Sequence, residues 1–255
     1  MWKALRVTVL LLVLATVAQG AWLAKRDATD WDDPLTVVLY PINADGSEAA
    51  ERYLRALDVA RYAPIAEFMA DQAEAWGVRV REPVELRLAP RVGSAPPATP
   101  APGNPLAAVA WSLQLRWWAW RNDTYTGARR NVRLFLLYHD DERTPRLPHS
   151  TGLEKGLIGV VNVFANPRMT AQNNVVITHE MLHTLGATDK YDLATNQPLH
   201  PHGYAEPDRV PLLPQRFAEI MAGRVPVAPG RAEQAESLNG VLIGPLTARE
   251  IGWVR

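Results

Sequence analysis

The chain has 255 residues, 47% hydrophobic and 21% charged, a composition typical of a globular protein with one large domain or two small ones. Its 27 basic and 27 acidic residues balance, so it lacks the basic surplus of a nucleic-acid-binding protein, and we expect no nucleic-acid partner. Cysteine is absent, which excludes disulfides, thiolate metal sites and cysteine nucleophiles; any metal ion must be bound by His, Asp or Glu.

The first 26 residues have the pattern of an export segment. An uncharged run at residues 7–24 lies between basic residues, and its apolar centre at residues 7–18 has the length found in secretory signal peptides. Ala18-Gln19-Gly20 supplies small residues at the spacing of a cleavage site. The same run is also long enough for one membrane-anchor helix. We therefore expect an exported protein (periplasmic, secreted or membrane-anchored) that meets the membrane only through this segment.

An acidic linker at residues 27–34 leads into the predicted catalytic domain, residues 35–255. A β-rich apolar run at residues 35–42 predicts a strand. A helix is expected to begin at Ser47 and to continue to about residue 76. It should break or kink at Pro64, because proline lacks the amide donor that a helix interior needs.

The next segments are a strand, a loop and a helix. Residues 84–88 alternate apolar and charged side chains, which predicts a half-exposed strand. Residues 90–105 hold six prolines and predict an extended surface loop, an insertion rather than a domain boundary, since the flanking segments look like consecutive elements of one sheet.

Residues 105–120 fit helical spacing and strand alternation alike, and the Asn-Pro start favours a helix. Its tryptophans are expected in the core rather than on a ligand-binding surface. The helical spacing is carried by Leu106, Val109, Leu113, Trp117 and Trp120.

The second half of the chain contributes two more strands, at residues 132–138 and 157–165, both apolar enough to be buried. A helix capped by Thr170 follows. Beyond it, residues 187–215 lose regular pattern and predict a long ordered loop. A short closing helix is expected at residues 246–254, with Thr247 as its cap.

The helix after Thr170 carries the most informative sequence of the chain. It contains His-Glu-x-x-His, continued as x-x-Gly-x-x-Asp. Histidines four residues apart share one face of a helix, so His179 and His183 can bind one metal ion. Glu180 can hold and deprotonate an attacking water without being a ligand itself.

The sequence offers more than one candidate for the third metal ligand. Gly186 allows the helix to end and the chain to turn, which can bring Asp189 round to the histidines. Two imidazoles and a carboxylate leave the fourth position of a Zn²⁺ ion open, as a catalytic site requires. His200 and His202 are alternative ligands, disfavoured because they lie in a loop at no fixed spacing. Calcium has no support, since no recognised calcium-loop spacing links the candidate ligands Asp189, Asp192 and Asn196.

The run HEMLHTLGATD resembles the extended zinc signature of the metzincin clan of metallopeptidases, in the variant with Asp as third ligand that snapalysin-type and immune-inhibitor-A-type secreted bacterial proteases carry. The resemblance is specific at residues 179–189 and, less so, at 219–223. It implies an α+β zincin fold with a twisted mixed sheet and an active-site helix in an N-terminal subdomain that ends near residue 186. An irregular C-terminal subdomain, residues 187–255, would hold a Met-turn and the closing helix.

The resemblance also implies roles outside the motif. Met221 stands where the clan has a methionine beneath the metal. The clan's tyrosine two residues later is missing, because Gly223 stands there, and Tyr191 and Tyr204 in the loop are the candidates to stabilise the oxyanion instead. Substrate in the clan lies extended against an edge strand. The candidate edge positions here are Leu157, Gly159, Val161 and Val163.

The sequence therefore predicts an exported zinc endopeptidase that acts on a peptide or protein, with Glu180 as general base and then as acid towards the leaving amine. Two alternatives stay open. One is a catalytically silent binding or scaffold domain, against which the presence of Glu180 argues. The other is a zinc amidase acting on cell-wall peptides, although no wall-binding repeat is present in this sequence. No pattern indicates an oligomeric state.

Overall fold

A five-stranded mixed sheet organises the part of the chain that the computed structural model describes, residues 2–100, 103–127, 129–154 and 156–254. Its order is β2-β1-β3-β5-β4, with β4 antiparallel to β5 and the other neighbours parallel. The sheet and its helices confirm the predicted α+β class, and the four strands expected from the sequence are present. The strands are β1 (Leu35–Asn43), β2 (Val84–Leu88), β3 (Val132–His139), β4 (Thr151–Leu153) and β5 (Ile158–Phe164).

The central strands are apolar on both faces because both faces are covered. In β1 every residue except the last is buried. Neighbouring residues of a strand point to opposite sides of the sheet. Val37 and Leu39 accordingly belong to one hydrophobic core, whereas Val38 and Tyr40 belong to the other.

Helices cover the two faces of the sheet. The core that contains Val37 is shared by the side chains of α2 (Glu48–Arg55), α3 (Ala63–Ala75) and α5 (Thr170–Thr184). The core that contains Val38 is shared by α4 (Pro105–Arg121). α5, which carries the two motif histidines, and α4 therefore lie on opposite faces.

The helix expected at residues 105–120 is confirmed, but its buried face was only partly predicted. Asn104 caps α4, its side chain accepting a hydrogen bond of 3.1 Å from the amide of Ala107. Trp111 and Trp118 are buried against the sheet, as expected. The prediction that all the tryptophans are core residues was wrong, because Trp117 and Trp120 are exposed. α4 is apolar on two sides, and periodicity alone does not say which side meets the sheet.

The expected kink at Pro64 is a break between two helices. α2 ends at Arg55, a short 3₁₀ turn follows at Val59–Tyr62, and α3 begins at Ala63. Pro64 thus lies in the first turn of α3. Amides of the first turn have no acceptor within the helix, so the missing N–H of proline costs no helical hydrogen bond there. Ser47 caps α2 as predicted, accepting from the amide of Ala50 at 3.1 Å.

Two other predicted caps were wrong. A 3₁₀ turn at Pro167–Met169 leads directly into α5, so that Met169 is the cap residue and Thr170 already helical. The closing helix α6 (Pro245–Glu250) is capped by Gly244 and is shorter than expected. Thr247 lies inside α6, where its hydroxyl donates to Glu219 at 2.6 Å.

The N-terminal segment forms one helix, α1 (Trp2–Thr29). Its end is fixed to the domain by Trp31, whose indole N–H donates to the carbonyl of Ile251 at 2.7 Å and whose ring meets Trp253 edge-on. Within the described ranges, no helix combines the length and apolarity needed to cross a membrane. The predicted Pro-rich loop has no helix or strand before Asn104, although residues 101 and 102 lie outside the described part.

The C-terminal part is irregular, as expected. Residues 187–217 form an ordered loop that includes two isolated β-bridges. Beyond the loop, Ile220, Met221 and Val241 join the same hydrophobic core as α3 and α5, so this part packs against the motif helix. Its remaining elements are β6 (Ala218–Glu219), β7 (Arg224–Ala228), β8 (Arg231–Gln234), β9 (Val241–Leu242) and α6.

Candidate metal centre

The motif helix α5 presents both histidines at its C-terminal end. It is otherwise mostly buried, even at polar positions such as Asn174 and Thr178. The rings of His179 and His183 lie one turn apart with centroids 4.6 Å from each other and planes nearly perpendicular. This is the arrangement that the four-residue spacing predicts.

The end of α5 turns the chain back towards these rings. Gly186 has a φ of 106°, a left-handed conformation that glycine adopts without strain. The amides of Gly186 and Ala187 donate to the carbonyls of His183 and Leu182, both at 3.1 Å, which closes the helix with a Schellman motif. The predicted role of Gly186 is confirmed. The turn brings Asp189 next to the histidines.

Three ligand-type atoms then converge. The Nε2 atoms of His179 and His183 are 3.0 Å apart, and the Oδ1 atom of Asp189 lies 3.3 Å from the first and 3.1 Å from the second. A tetrahedral Zn²⁺ ion with bonds of about 2.0–2.1 Å separates its ligand atoms by roughly 3.3 Å. The three atoms therefore fit the spacing of ligands on one small ion.

A hydrogen bond at the other nitrogen of each ring, Nδ1, determines which nitrogen carries the hydrogen. The Nδ1 of His179 lies 2.9 Å from the carbonyl oxygen of Ile220, and the Nδ1 of His183 lies 2.7 Å from that of Ala187. A carbonyl oxygen only accepts, so each Nδ1 carries the hydrogen and donates it. In the neutral rings both Nε2 atoms then present lone pairs to each other and to the carboxylate of Asp189. Such an arrangement is repulsive unless positive charge, from a metal ion or from a proton on one of the rings, lies between the three atoms.

The electrostatics of the site also favour positive charge. Partial burial would raise the pKa of Asp189, but hydrogen bonds to both histidines hold it well below its usual value. Burial opposes a charge on His179, yet the hydrogen bond to Asp189 and the nearby Glu180 raise the pKa of that imidazole.

Glu180 is the second carboxylate of the centre and is only 7% exposed. Burial raises its pKa, against the lowering effect of the two histidines. Among the described residues, its buried Oε2 atom is one of few side-chain atoms without a hydrogen-bond partner. An unsatisfied buried oxygen beside two histidines is suited to accept from a water or to bind a cation.

His179, Glu180 and His183 form a group that could hold a metal ion, since their ligand atoms lie within 4.8 Å of one another. Asp189 and Glu180 thus compete for the role of third ligand. The contacts of 3.1 and 3.3 Å favour Asp189, because Glu180 makes no hydrogen bond to either ring and keeps an oxygen free for another task.

A cavity of about 290 Å³ opens beside His179 and Glu180. It is lined by residues 147–150, by Tyr191 and Asn196, and by residues 222–224. The candidate metal centre therefore adjoins a cleft large enough for a side chain and its flanking backbone.

The edge strand predicted for substrate was wrong. Leu157 precedes β5, and the positions Gly159, Val161 and Val163 lie within a strand that β3 covers on one side. On the other side β4 pairs with residues 158–160, and the adjoining Ser150 accepts from the amide of Asn162 at 3.0 Å. β4 is the true edge. Its three residues have no periodicity that a sequence pattern could reveal.

β4 runs directly over the motif helix. At Gly152, an added Cβ would stand 2.5 Å from the Cβ of His183 and 2.8 Å from the carbonyl oxygen of Glu180, so only glycine fits. The close approach places β4 against the part of α5 that carries Glu180 and His183.

The turn at residues 219–223 packs against the centre. Met221 is fully buried, and the carbonyl of Ile220 receives the hydrogen of His179. The carboxylate of Glu219 holds the turn, accepting from the amides of Met221 at 2.6 Å and Ala222 at 3.1 Å. Sequence reasoning placed Met221 here but missed Glu219, since a glutamate beside a hydrophobic residue carries no signal of burial.

Of the two candidate tyrosines, the structure brings only Tyr191 to the cleft. Burial, with the negative charges of Asp189 and Glu180, raises the pKa of Tyr191 to about 12. Tyr204 instead bridges to Ala218 and packs edge-on against His200.

The alternative ligands are not brought to the centre either. The Nε2 of His200 lies 3.4 Å from the carbonyl of Pro207, and His202 is exposed in the same loop. The oxygens suggested for calcium serve a turn: the Oδ1 of Asp192 accepts from the amide and hydroxyl of Thr195, both at 2.8 Å.

Comparison with protein-family models and with curated proteins found no match to this chain.

Proposed function

We propose that this protein is an exported, zinc-dependent peptidase with a metzincin-like zincin fold. The observation that carries the proposal is the convergence of two imidazole nitrogens and a carboxylate oxygen at 3.0–3.3 Å, with both ring protons held on the far nitrogens by backbone carbonyls. Three protein ligands in this arrangement suit a catalytic zinc ion with an open position.

In this proposal His179, His183 and Asp189 hold the ion. When bound, zinc polarises the scissile carbonyl and lowers the pKa of water towards neutrality. Histidine and carboxylate ligands without cysteine agree with a catalytic rather than a structural zinc site. The second nitrogen of each imidazole already donates to a carbonyl, which orients both rings towards the ion.

Glu180 acts as the general base. Its buried Oε2 has no hydrogen-bond partner among the described residues, so it can accept the proton of the attacking water and later deliver it to the leaving amine. Burial raises its pKa, which makes the carboxylate a stronger base than an exposed glutamate.

The substrate lies extended along the free edge of β4 and the preceding residues 147–150. This edge is unpaired on its outer side in the sheet order, and a peptide can add to it through backbone hydrogen bonds. One side chain of the substrate then enters the cavity beside His179, which Tyr191 and Val176 help to line. Tyr191, whose pKa is raised to about 12 by burial, donates its phenol hydrogen to the oxygen that becomes negative in the transition state.

The test is digestion of a mixed peptide library by the wild type and by Glu180→Ala, with zinc content measured on the same samples. We expect the variant to retain zinc and to lose activity by about 10²–10⁴-fold, the contribution of a general base. Glu67→Ala, at an exposed glutamate of α3, is the matched control and should behave as wild type. Equal turnover by wild type and Glu180→Ala would refute the enzymatic role. Wild type that holds zinc but cleaves no peptide would favour the silent binding domain.

A further inference from the structure

One face of α4 is apolar and open to solvent. Its five large hydrophobic residues are each at least 58% exposed. At about 100° per residue they fall on a single stripe along the helix, opposite the buried Trp111, Leu115 and Trp118. Soluble proteins rarely leave so continuous an apolar surface without a partner. The stripe consists of Leu106, Val109, Leu113, Trp117 and Trp120.

Arginines border the stripe on both sides. Arg116 precedes Trp117 and lies at one edge of the stripe, and Arg121 lies at the other, with its guanidinium 5.3 Å from the ring centre of Trp117. α4 contains no acidic residue. Long basic side chains beside tryptophan and leucine are typical of helices that lie in the interface of a membrane, because the aliphatic stems pack on the apolar layer while the charges reach the phosphates.

A cavity lined by basic residues adjoins α4 at Arg116. It has a volume of about 410 Å³ and lies between the end of α1 and α4. Among the described residues that line it, Glu154 is the one carboxylate, and it pairs with Lys25; outside the lining, Asp123 pairs with Arg130 at 3.1 Å. The described lining thus carries four basic side chains and one carboxylate, and this excess of positive charge suits an anionic head group. The basic lining residues are Lys25, Arg116, Arg130 and Arg133.

We propose that the exposed face of α4 docks on an anionic phospholipid surface, with the stripe in the outer apolar layer and the basic cavity on the lipid phosphates. This contact is additional to any contact made by the N-terminal segment. A second copy of the chain is a poorer occupant. In a two-fold dimer the stripe would meet itself, so the basic edges of the two copies would approach each other, and α4 contains no acidic residue that could pair across the contact.

Docking through α4 also sets an orientation. α4 and the motif helix α5 pack on opposite faces of the sheet, so a bound protein would turn the cleft beside His179 away from the lipid. The proposal does not depend on zinc or on hydrolysis.

The absence of cysteine gives a position-specific test in the full chain. Leu113→Cys provides a single thiol for a nitroxide label in the middle of the stripe, and Val210→Cys provides a matched exposed site on the loop of the C-terminal part. On phosphatidylcholine vesicles that contain phosphatidylglycerol, we expect the label at 113 to become accessible to oxygen and protected from a water-soluble nickel chelate. The label at 210 should remain aqueous. Since the readout belongs to one position, binding through α1 alone would not reproduce it.

Two variants in the Leu113→Cys background sharpen the test. Trp117→Glu with Trp120→Glu should return the label to an aqueous environment, with circular dichroism as the check on folding. Arg121→Gln should weaken the response to anionic vesicles about fivefold, whereas Arg79→Gln, on an exposed segment after α3, should not. A label at 113 that stays aqueous on vesicle-bound protein would overturn the proposal. Spin–spin broadening that grows with protein concentration without vesicles would also overturn it and assign the face to a second copy.

Discussion

Lys190 and Glu250 form an ion pair of 2.6 Å that joins the residue after Asp189 to the last residue of α6. Lys190 is only 4% exposed, and its ammonium also donates to the carbonyl and hydroxyl of Thr188 at 2.7 Å. Glu250 accepts from the amide of Thr188 at 3.0 Å. The short segment that carries Asp189 is thus held against the closing helix from both of its ends.

Removing this ion pair should weaken zinc binding at the candidate centre, although neither residue of the pair is a candidate ligand. Lys190→Met keeps the volume of the side chain but leaves Glu250 without its ammonium partner, which should lower the free energy of unfolding by on the order of 2 kcal/mol. Because the position of Asp189 then becomes less defined, zinc affinity should fall about 10–100-fold. Chemical denaturation and a competitive zinc titration measure the two effects. Arg249→Met, at an exposed neighbour on α6, is the control. Unchanged zinc affinity in Lys190→Met would show that the segment keeps its position without the ion pair.

The choice between the two carboxylates can be settled by metal retention. If Asp189 is the third ligand, Asp189→Ala should weaken zinc binding by more than about 100-fold, since even outer partners of a ligand are worth about 10–100-fold. Glu180→Gln should leave zinc stoichiometry at its wild-type level, because Glu180 lies outside the closest triangle of atoms. Zinc content after dialysis against a weak chelator distinguishes them. The reverse pattern would make Glu180 the ligand.

Tyr191 and Tyr204 form a matched pair for testing oxyanion stabilisation. Tyr191 lines the cleft and Tyr204 does not. Tyr191→Phe should lower kcat by about 10²–10³-fold with little change in zinc content, as loss of one oxyanion donor does. Burial and the charges of Asp189 and Glu180 raise the pKa of Tyr191 to about 12, so its phenol keeps at neutral pH the hydrogen that it would donate. Tyr204→Phe should retain wild-type kcat; an equal loss in both variants would point to a general effect on the loop.

Glu206, in the loop that follows Asp189, should make the stability of the folded state slightly sensitive to acid. Arg216 holds the pKa of Glu206 at about 2, and its backbone amide donates to the same carboxylate at 3.1 Å. A carboxyl whose pKa is lowered by folding stabilises the folded state above its unfolded pKa. That contribution is lost as the pH falls from about 4.5 to about 2. Arg216 is exposed, so solvent screens the pair and the contribution should stay below about 1 kcal/mol. Urea unfolding of chelated wild type and Glu206→Gln at pH 7 and pH 3 isolates it, and an identical pH dependence in both proteins would contradict it.

The sequence predicted those parts of the fold and of the centre that depend on local spacing. The four-residue interval put His179 and His183 on one face, and Gly186 ended their helix as expected. The same local reasoning failed for α4, because its pattern of apolar residues allows either side of the helix to face the sheet. α4 is apolar on both sides, and the sheet covers the side that contains Leu115 rather than the side that contains Leu113.

Other features could not be predicted because they join distant positions. β4 has three residues and acquires its strand character only by pairing with β5. Glu219 reads as an ordinary surface glutamate, yet it is buried and bonded to Thr247 in α6. The ion pair of Lys190 links residues sixty positions apart in the chain, for which a single sequence gives no signal.

The bond from His179 to the carbonyl of Ile220 has a consequence for the order in which the protein matures. The nitrogen that faces Asp189 is selected by a backbone group 41 residues downstream of the histidine itself. Lys190, the neighbour of Asp189, is likewise held by later residues: its amide donates to the carbonyl of Met221 and its ammonium to Glu250. Until residues 220 and 250 have been made, the sheet and both histidines lack the contacts that orient His179 and hold the segment of Asp189. We therefore expect the candidate centre to reach its final geometry only after these later residues have folded against it.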